Sequence, residues 1–158
     1  LALIRHQPYK SWFSQFMTPN NSNEMENSWE RYYEYWKPLT QDHLEKGMLD
    51  IHQGLFQESS TPQIFEKFSY DSFKNTELDK ELKSLSVKTL IMTGVETDVC
   101  VLATVFSAVD LGYRVIMASD AMTSSDLHCH DFVLNSLTNR FDQQIEVASV
   151  DEILEKWK

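Results

Sequence analysis

The residues Thr89-Leu-Ile-Met-Thr93 run directly into Gly94-Val-Glu-Thr-Asp-Val-Cys100-Val101, and this order of residues decides the fold. The first five residues form a short apolar run that favours a buried strand. A helix with one apolar face is then predicted by the spacing of Leu102, Val105, Phe106 and Val109. The sequence therefore predicts a strand, a tight turn, and a cysteine in the first turn of a helix.

The position of Cys100 suits a nucleophile. Backbone N–H groups at the start of a helix lack intrahelical partners and carry partial positive charge. We therefore expect them to favour a thiolate at Cys100 and to be able to hold a developing oxyanion. The alternative interpretation is that Cys100 is only a small buried apolar residue, which is the common role of a free cysteine.

Composition narrows the class of protein. The chain has 158 residues, of which 42% are hydrophobic, and this predicts one globular domain spanning residues 1–158. With 24 acidic and 14 basic residues the net charge is −10, which argues against a nucleic-acid partner. The sequence contains no apolar run long enough to span a bilayer, so we expect no membrane partner. Two cysteines do not make a disulfide framework, which favours a reducing cytoplasm.

Strands and helices are predicted to alternate along the second half of the chain, which implies parallel strands with helices on both faces of the sheet. A first strand is also predicted at Leu1–Arg5, and because the chain opens with Leu rather than Met we expect an upstream segment. The further predicted strands are Gln63–Lys67, Thr89–Thr93, Arg114–Ala118 and Gln144–Val147. Helices are predicted near Glu77–Leu85, after Asp98 and at Leu127–Asn139. A last helix is predicted after a capping box formed by Ser149 and Glu152.

Aromatic residues are crowded in the segment between His6 and Pro62. Trp29, Tyr32, Tyr33 and Trp36 recur at the spacing of one helix face. Such a stripe is usually simple packing, and the functional alternatives are a wall of the active site or a contact between subunits.

Three polar residues lie where a ligand site is expected. In open parallel sheets, ligands bind beyond the carboxyl ends of the strands. Lys67, Cys100 and Asp120 each follow or end a predicted strand, and a lysine near a cysteine stabilises the thiolate. Each residue alone also has a simpler interpretation: Lys67 is then a solvated strand end, and Asp120 is a hydrogen-bond acceptor that stabilises a loop.

These residues carry a resemblance to the isochorismatase-like cysteine hydrolases. It rests on Lys67-Phe-Ser-Tyr-Asp-Ser-Phe73, Gly94-Val-Glu-Thr-Asp-Val-Cys100-Val101, Thr104, Gly112-Tyr113 and Asp120-Ala121. The resemblance implies a three-layer α/β/α, Rossmann-like fold with a parallel sheet of order 3-2-1-4-5-6. It also implies a Cys-Asp-Lys catalytic triad and a cis peptide between Val95 and Glu96. The amides of Glu96 and Cys100 would then form an oxyanion hole.

The aspartate of that triad has no counterpart in the sequence. In the family it closes the first, central strand, whereas this chain is expected to open at the second strand. We therefore expect the domain to be incomplete at its N-terminus and this chain by itself to be inactive. Asp120 is a weak substitute for the aspartate, and Thr97 and Asp120 are retained as supporting residues.

The retained Cys100 favours hydrolysis of a C–N bond in a small amide, ureido or carbamoyl compound, through a thioester. Nicotinamide-hydrolysing members carry an Asp-x-His metal site after the second strand. Here Arg5-His6-Gln7-Pro8 stands at the expected place, so we expect no metal, and no other cofactor is indicated. His128-Cys129-His130 is read as structural, since its members cannot share one helix face.

Two other functions remain open. A catalytically inactive relative would bind a metabolite or a protein partner in the same crevice. Redox signalling through Cys100 and Cys129 is the weaker alternative, because the two cysteines are not in a Cys-x-x-Cys arrangement. The resemblance also implies a homo-oligomer.

Overall fold

The computed structural model describes residues 1–157 and contains five strands and seven α-helices. A π-helical turn precedes α5 at Thr97–Val101, and another follows α6 at Val133–Leu137. The strands are β1 (Trp12–Phe16), β2 (Gln63–Lys67), β3 (Thr89–Val95), β4 (Arg114–Thr123) and β5 (Ile145–Ala148). The helices are α1 (Ala2–His6), α2 (Asn27–Tyr35), α3 (Gln53–Glu58), α4 (Leu78–Ser84), α5 (Leu102–Asp110), α6 (Leu127–Phe132) and α7 (Val150–Lys156).

The strands form two separate parallel sheets. One sheet has two strands, with β1 beside β2, and the other has three in the order β3-β4-β5. The order β2-β1, a gap, and then β3-β4-β5 is the implied order 3-2-1-4-5-6 with its central strand absent from residues 1–157. The predicted α/β class with parallel strands is therefore confirmed.

The core lies between the three-stranded sheet and the helices that connect its strands. Val105 and Ala108 of α5 and Val115 and Met117 of β4 are fully buried. Leu82 of α4 belongs to the same cluster. A helix at the predicted apolar spacing thus covers a strand that is apolar on both faces, as expected for a parallel sheet.

The prediction of a strand at Leu1–Arg5 was wrong, because Ala2–His6 form the helix α1. A short apolar run has no periodicity that separates a strand from a helix. The helix is held by tertiary contacts: Arg5 makes an ion pair with Glu58 of 2.7 Å, and the His6 ring hydrogen-bonds to the Trp157 carbonyl.

The second strand of the predicted order is instead β1, Trp12–Phe16, which pairs in parallel register with β2. Its aromatic residues, Trp12, Phe13 and Phe16, are the composition that strands favour. This aromatic composition would have been enough to predict the strand from the sequence.

The ends of other strands and helices also differ from the predicted ones. Strand β4 continues to Thr123, so Asp120 lies within a strand rather than after one. The helix predicted at Leu127–Asn139 is broken into α6, the π-helical turn and a 3-10 turn at Thr138–Phe141. The capping box between Ser149 and Glu152 at the start of α7 is confirmed.

A glycine at the end of α5 gives a test of the connection to β4. Gly112 has a φ of +91°, and a Cβ built on it meets nothing within 4 Å. We expect Gly112→Ala to reduce the free energy of unfolding by about 1–2 kcal/mol, because the cost comes from the left-handed backbone alone. Urea unfolding measures it. Gly112→Asn is the control and should cost less, since asparagine tolerates this conformation; equal stability of Gly112→Ala and the parent would contradict the argument.

Candidate active site

Lys67 and Cys100 lie close together, although the strands that precede them, β2 and β3, belong to separate sheets. Lys67 is the last residue of β2, and Cys100 lies in the π-helical turn between β3 and α5. Charge and hydrogen-bonding interactions between the two groups favour the ammonium of Lys67 and the thiolate of Cys100. The structure therefore brings together two of the three polar residues that the sequence singled out.

Lys67 is not the solvated strand end that its position alone suggested. It is only 4% exposed, its Nζ donates a hydrogen bond to the carbonyl of Tyr70, and Nζ lies 5.9 Å from the centre of the Phe16 ring. Burial lowers the pKa of the Lys67 amine, and the nearby Cys100 and Asp71 oppose this change. A buried amine with one neutral acceptor is short of a counter-charge.

Backbone stabilisation of the thiolate is present at Cys100, but burial outweighs it. Burial is the largest influence and raises the pKa of the Cys100 thiol. The Lys67 ammonium and the Glu96 backbone amide lower this pKa, whereas the Glu96 carboxylate raises it. Desolvation of a thiolate outweighs the two stabilising contacts, so the arrangement favours the neutral thiol.

The turn before Cys100 is tightly held. The Val95–Glu96 peptide bond is cis, and the Glu96 carbonyl accepts hydrogen bonds from the amides of Val99 and Val101 at 3.2 and 3.1 Å. The Glu96 amide lies within hydrogen-bonding reach of the Cys100 sulfur. Fixed amides beside a nucleophile are the kind of donors that can hold an oxyanion.

Thr97 ties this turn to the elements around it. Its side chain is fully buried, and its hydroxyl donates to the Thr123 carbonyl at 3.2 Å. Thr97 Oγ1 also shares a hydrogen bond of 2.8 Å with Nδ1 of His130. Thr97 and His130 thus connect the cysteine turn to β4 and α6.

A chain of hydroxyl groups supports Cys100 from the other side, and the sequence analysis missed its role. Thr104 Oγ1 donates to the Cys100 carbonyl at 2.8 Å and accepts the backbone N–H of Ser72 at 3.0 Å. The Ser72 hydroxyl lies 3.0 Å from Thr104 Oγ1 and 2.7 Å from Ser14 Oγ in β1. The start of α5 is therefore linked to the residues that follow β2.

Asp120 stabilises the connection between β5 and α7. Its Oδ1 accepts the backbone N–H of Val150 at 2.7 Å, at the start of α7. No hydrogen bond within residues 1–157 joins Asp120 to Cys100 or Lys67. The structure thus agrees with the sequence-based interpretation of Asp120 as an acceptor that braces a connection.

Cys100 and Lys67 line a cavity of about 600 Å³ between the two sheets. Trp29 and Tyr32 of α2 and Tyr70, which follows β2, line a different space of about 510 Å³, whose lining does not include Cys100 or Lys67. Burial raises the pKa of Tyr32 and of Tyr70, and in both the nearby Cys100 contributes to the rise. The stripe on α2 therefore forms a wall of this second cavity through Trp29 and Tyr32, whereas Trp36 packs against Tyr35 instead.

Candidate metal ligands are scattered in the described part of the chain. Within residues 1–157, no three His, Cys, Asp or Glu side chains are grouped as a metal site requires. The Asp-x-His motif of the nicotinamide-hydrolysing members follows the second strand, which here is β1. The residues to compare with it are therefore those after Phe16 and not Arg5-His6-Gln7-Pro8. The residues after β1 are Met17-Thr18-Pro19-Asn20, which contain neither a histidine nor a carboxylate.

The chain belongs to the isochorismatase family, because the sequence model of the isochorismatase domain matches residues 4–149. It is 31% identical over 86 residues to an uncharacterised isochorismatase family protein, PncA, of Bacillus subtilis, covering 53% of this chain and 47% of that one. It is 31% identical over 85 residues to nicotinamidase 3 of Arabidopsis thaliana, covering 54% and 43%. The chain thus matches about half of the length of these relatives.

Solved structures share the fold over most of the chain. An isochorismatase-like hydrolase from Alkaliphilus metalliredigens superposes with a TM-score of 0.66 and 25% identity, covering 93% of this chain and 71% of that one. A cysteine hydrolase from Pseudomonas syringae superposes with a TM-score of 0.77 at 21% identity, covering 98% and 74%. Because the Pseudomonas syringae protein is only 21% identical, its similarity to this chain shows the fold alone.

The environment of Cys100 predicts how its reactivity depends on pH. In a Cys129→Ser background, we expect alkylation of Cys100 by iodoacetamide to have its midpoint above about pH 8.5, the value for free cysteine, because burial raises its pKa. Lys67→Met should move the midpoint still higher, since the variant removes a charge that stabilises the thiolate. Mass spectrometry of the alkylated fraction between about pH 6 and 10 measures both.

Lys74→Met is the matched control for this experiment. Lys74 lines the neighbouring cavity, and its side chain makes no ion pair in the described chain. Its replacement should leave the Cys100 midpoint unchanged. A midpoint that falls, or that does not move, in Lys67→Met would show that Lys67 does not stabilise the thiolate.

Proposed function

We propose that the protein hydrolyses a C–N bond of a small amide, ureido or carbamoyl compound through a covalent thioester on Cys100. The observation that carries the proposal is the contact between Cys100 and the buried Lys67 beside the fixed Glu96 amide. Similar proteins named for such chemistry support it, including nicotinamidase 3 and, at 36% identity over 58 residues, ureidoacrylate amidohydrolase RutB of Variovorax paradoxus.

The proposed reaction has two halves. The Cys100 thiolate attacks the carbonyl carbon, and the amides of Glu96 and Cys100 hold the negative charge on the carbonyl oxygen. The C–N bond then breaks, the amine leaves with a proton, and the acyl group remains on sulfur. Water attacks the thioester, releasing a carboxylic acid and restoring Cys100. Lys67 stabilises the thiolate and the charge on the bound substrate.

The first step needs an acceptor for the Cys100 proton. Within residues 1–157, no carboxylate accepts a hydrogen bond from Cys100 or Lys67. The family resemblance assigns this role to an aspartate at the end of the central strand. We therefore assign the proton transfer to an aspartate outside the described residues and derive no step from Asp120.

Cys100 and Lys67 line the cavity of about 600 Å³, and we propose that the aromatic cavity near them holds the part of the substrate away from the C–N bond. Its aromatic walls, Trp29, Tyr32 and Tyr70, suit a small, flat and partly apolar compound, because π faces pack on planar groups such as amides and ureas. Lys74 and Asp71 at its rim offer polar contacts for orientation.

The proposal also covers the cellular compartment and the oligomeric state of the protein. Two free cysteines fit a reducing cytoplasm. None of the helices in residues 1–157 combines the length and apolar character of a membrane span. Tyr35 is 77% and Trp36 47% exposed at the end of α2, and this aromatic pair supports a contact between copies of the chain.

The proposal is tested by trapping the acyl enzyme. The full-length protein is mixed with nicotinamide, an N-carbamoyl amino acid and a ureido acid, and release of ammonia is followed. With the substrate, we expect intact-mass spectrometry to show the protein plus substrate minus the leaving amine. Cys100→Ser should lose at least about 10³-fold in kcat, and Lys67→Met should lose a comparable factor. Cys129→Ser is the control and should keep the parent rate.

The second candidate function is metabolite binding without turnover, and it is supported by the lack, within residues 1–157, of a carboxylate hydrogen-bonded to Cys100 or Lys67. In that case calorimetry would detect binding of one of these compounds, no ammonia would be released, and Lys67→Met would leave binding largely intact. Turnover that survives Cys100→Ser would overturn the proposed mechanism.

A further inference from the structure

Lys67 and Cys100 are held near each other without a shared sheet. Within residues 1–157, β2 and β3 belong to separate sheets, so no backbone ladder joins the strand that ends at Lys67 to the strand that precedes Cys100. Because one charge acts strongly on another only at short range, the distance between the two groups has to be fixed by other contacts. The loop of residues 68–73 that follows β2, here called the β2 loop, supplies them.

The β2 loop is bound to α5 at two points. The backbone N–H of Ser72 donates to Thr104 Oγ1 at 3.0 Å, and the Ser107 hydroxyl donates to Asp71 Oδ2 at 2.8 Å. Thr104 and Ser107 are three residues apart, so they lie on one face of the helix. Thr104 also donates to the Cys100 carbonyl at 2.8 Å. Helix α5 therefore holds the β2 loop and the cysteine turn together.

Both carboxylate oxygens of Asp71 take part in this attachment. Oδ1 accepts the backbone N–H of Phe73 at 2.9 Å, which closes a turn inside the β2 loop, and Oδ2 accepts the Ser107 hydroxyl. Hydrogen bonds to two different oxygens fix the position of a carboxylate and also the orientation of its plane. Asp71 thus places a negative charge at a defined point between the loop and the helix.

This charge acts on the Lys67 amine. Nζ of Lys67 donates to the carbonyl of Tyr70, the residue directly before Asp71, so the amine lies against the β2 loop. Burial is the largest influence and lowers the pKa of Lys67, whereas the charges of Cys100 and Asp71 raise it. A buried amine stays protonated only if such charges offset its lost hydration.

We propose that Asp71 is a positioning residue: anchored to α5 by Ser107, it keeps Lys67 charged and at a fixed distance from Cys100. Its part in catalysis rests on the proposed hydrolysis, in which Lys67 stabilises the thiolate. Asp71 acts through Lys67 and takes no proton from Cys100, since its described hydrogen bonds are to Phe73 and Ser107.

A double-mutant cycle on the alkylation of Cys100 tests the proposal without turnover. In the Cys129→Ser background of the 158-residue protein, Asp71→Asn keeps an oxygen for the Phe73 amide but removes the charge. Less Lys67 is then protonated where Cys100 titrates, so we expect the midpoint to rise by at least about half of the rise in Lys67→Met. In the Lys67→Met background, Asp71→Asn should leave the midpoint unchanged or lower it, because only direct repulsion of the thiolate is then removed.

The other titratable groups around Cys100 are the same in every variant. Glu96 acts on it from the cysteine turn, Tyr32 from α2 and Tyr70 from the β2 loop. Their effects are therefore common to the four corners of the cycle, and the difference between the two backgrounds reports the coupling of Asp71 to Lys67.

Two further variants separate the anchor from the charge. Ser107→Ala keeps the Asp71 charge but removes its anchor, so it should raise the midpoint, though less than Asp71→Asn does. If Asp71→Asn fails to fold, the same cycle is run with Ser107→Ala. Asp110→Asn is the matched control for the loss of one acidic charge and should leave the midpoint unchanged, because Asp110 is exposed at the end of α5 and forms no ion pair in the described chain.

Three results of the alkylation experiment would overturn the proposal. The first is an equal shift by Asp71→Asn with and without Lys67, which would show that Asp71 does not act through the amine. The second is a lower midpoint in Asp71→Asn while Lys67 is present. The third is a parent midpoint in Ser107→Ala, which would remove the anchoring role.

Turnover by the full-length protein gives a second readout. With a compound that it hydrolyses, we expect Asp71→Asn to lower kcat at least about tenfold and to change KM less than kcat. The alkaline limb of the kcat profile should move to lower pH, because Lys67 loses its proton more readily. A rise in KM alone would show that Asp71 serves only substrate binding and would overturn its positioning role. If no compound is hydrolysed, the proposed function fails, and the alkylation cycle still decides whether Asp71 acts on Lys67.

Discussion

The contact between the Lys67 amine and the Cys100 thiol is the interaction on which the rest of the site depends. Lys67 ends β2 and Cys100 follows β3, so folding makes neighbours of two residues that are distant in sequence. The surrounding polar groups hold this contact in place. Tyr70 binds the amine through its carbonyl, and Thr104 binds the Cys100 carbonyl.

Burial and charge compete at this contact, and burial is stronger. Both pKa shifts favour the neutral forms, with the thiol of Cys100 raised and the amine of Lys67 lowered. Asp71 and Cys100 both favour the charged form of Lys67, because an opposite charge stabilises a buried ammonium, but burial outweighs them.

The cavity between the two sheets and the candidate site are parts of one arrangement. Residues of β1 and β3 line this cavity of about 600 Å³, and so do Lys67 and Cys100. The edges of the two sheets and the two reactive groups therefore face the same space.

Apolar periodicity was enough to predict the order of strand, turn, cysteine and helix around Cys100, because it reports which face of each element is buried. Other local signals in the sequence gave β2 and the capping box of α7. Leu1–Arg5 is not a strand and Trp12–Phe16 is one because short segments take the structure that their neighbours stabilise, and those neighbours are known only once the chain is folded. The tertiary structure also decided the protonation preference of Cys100, because desolvation depends on atoms brought together by folding, and no spacing in the sequence measures it.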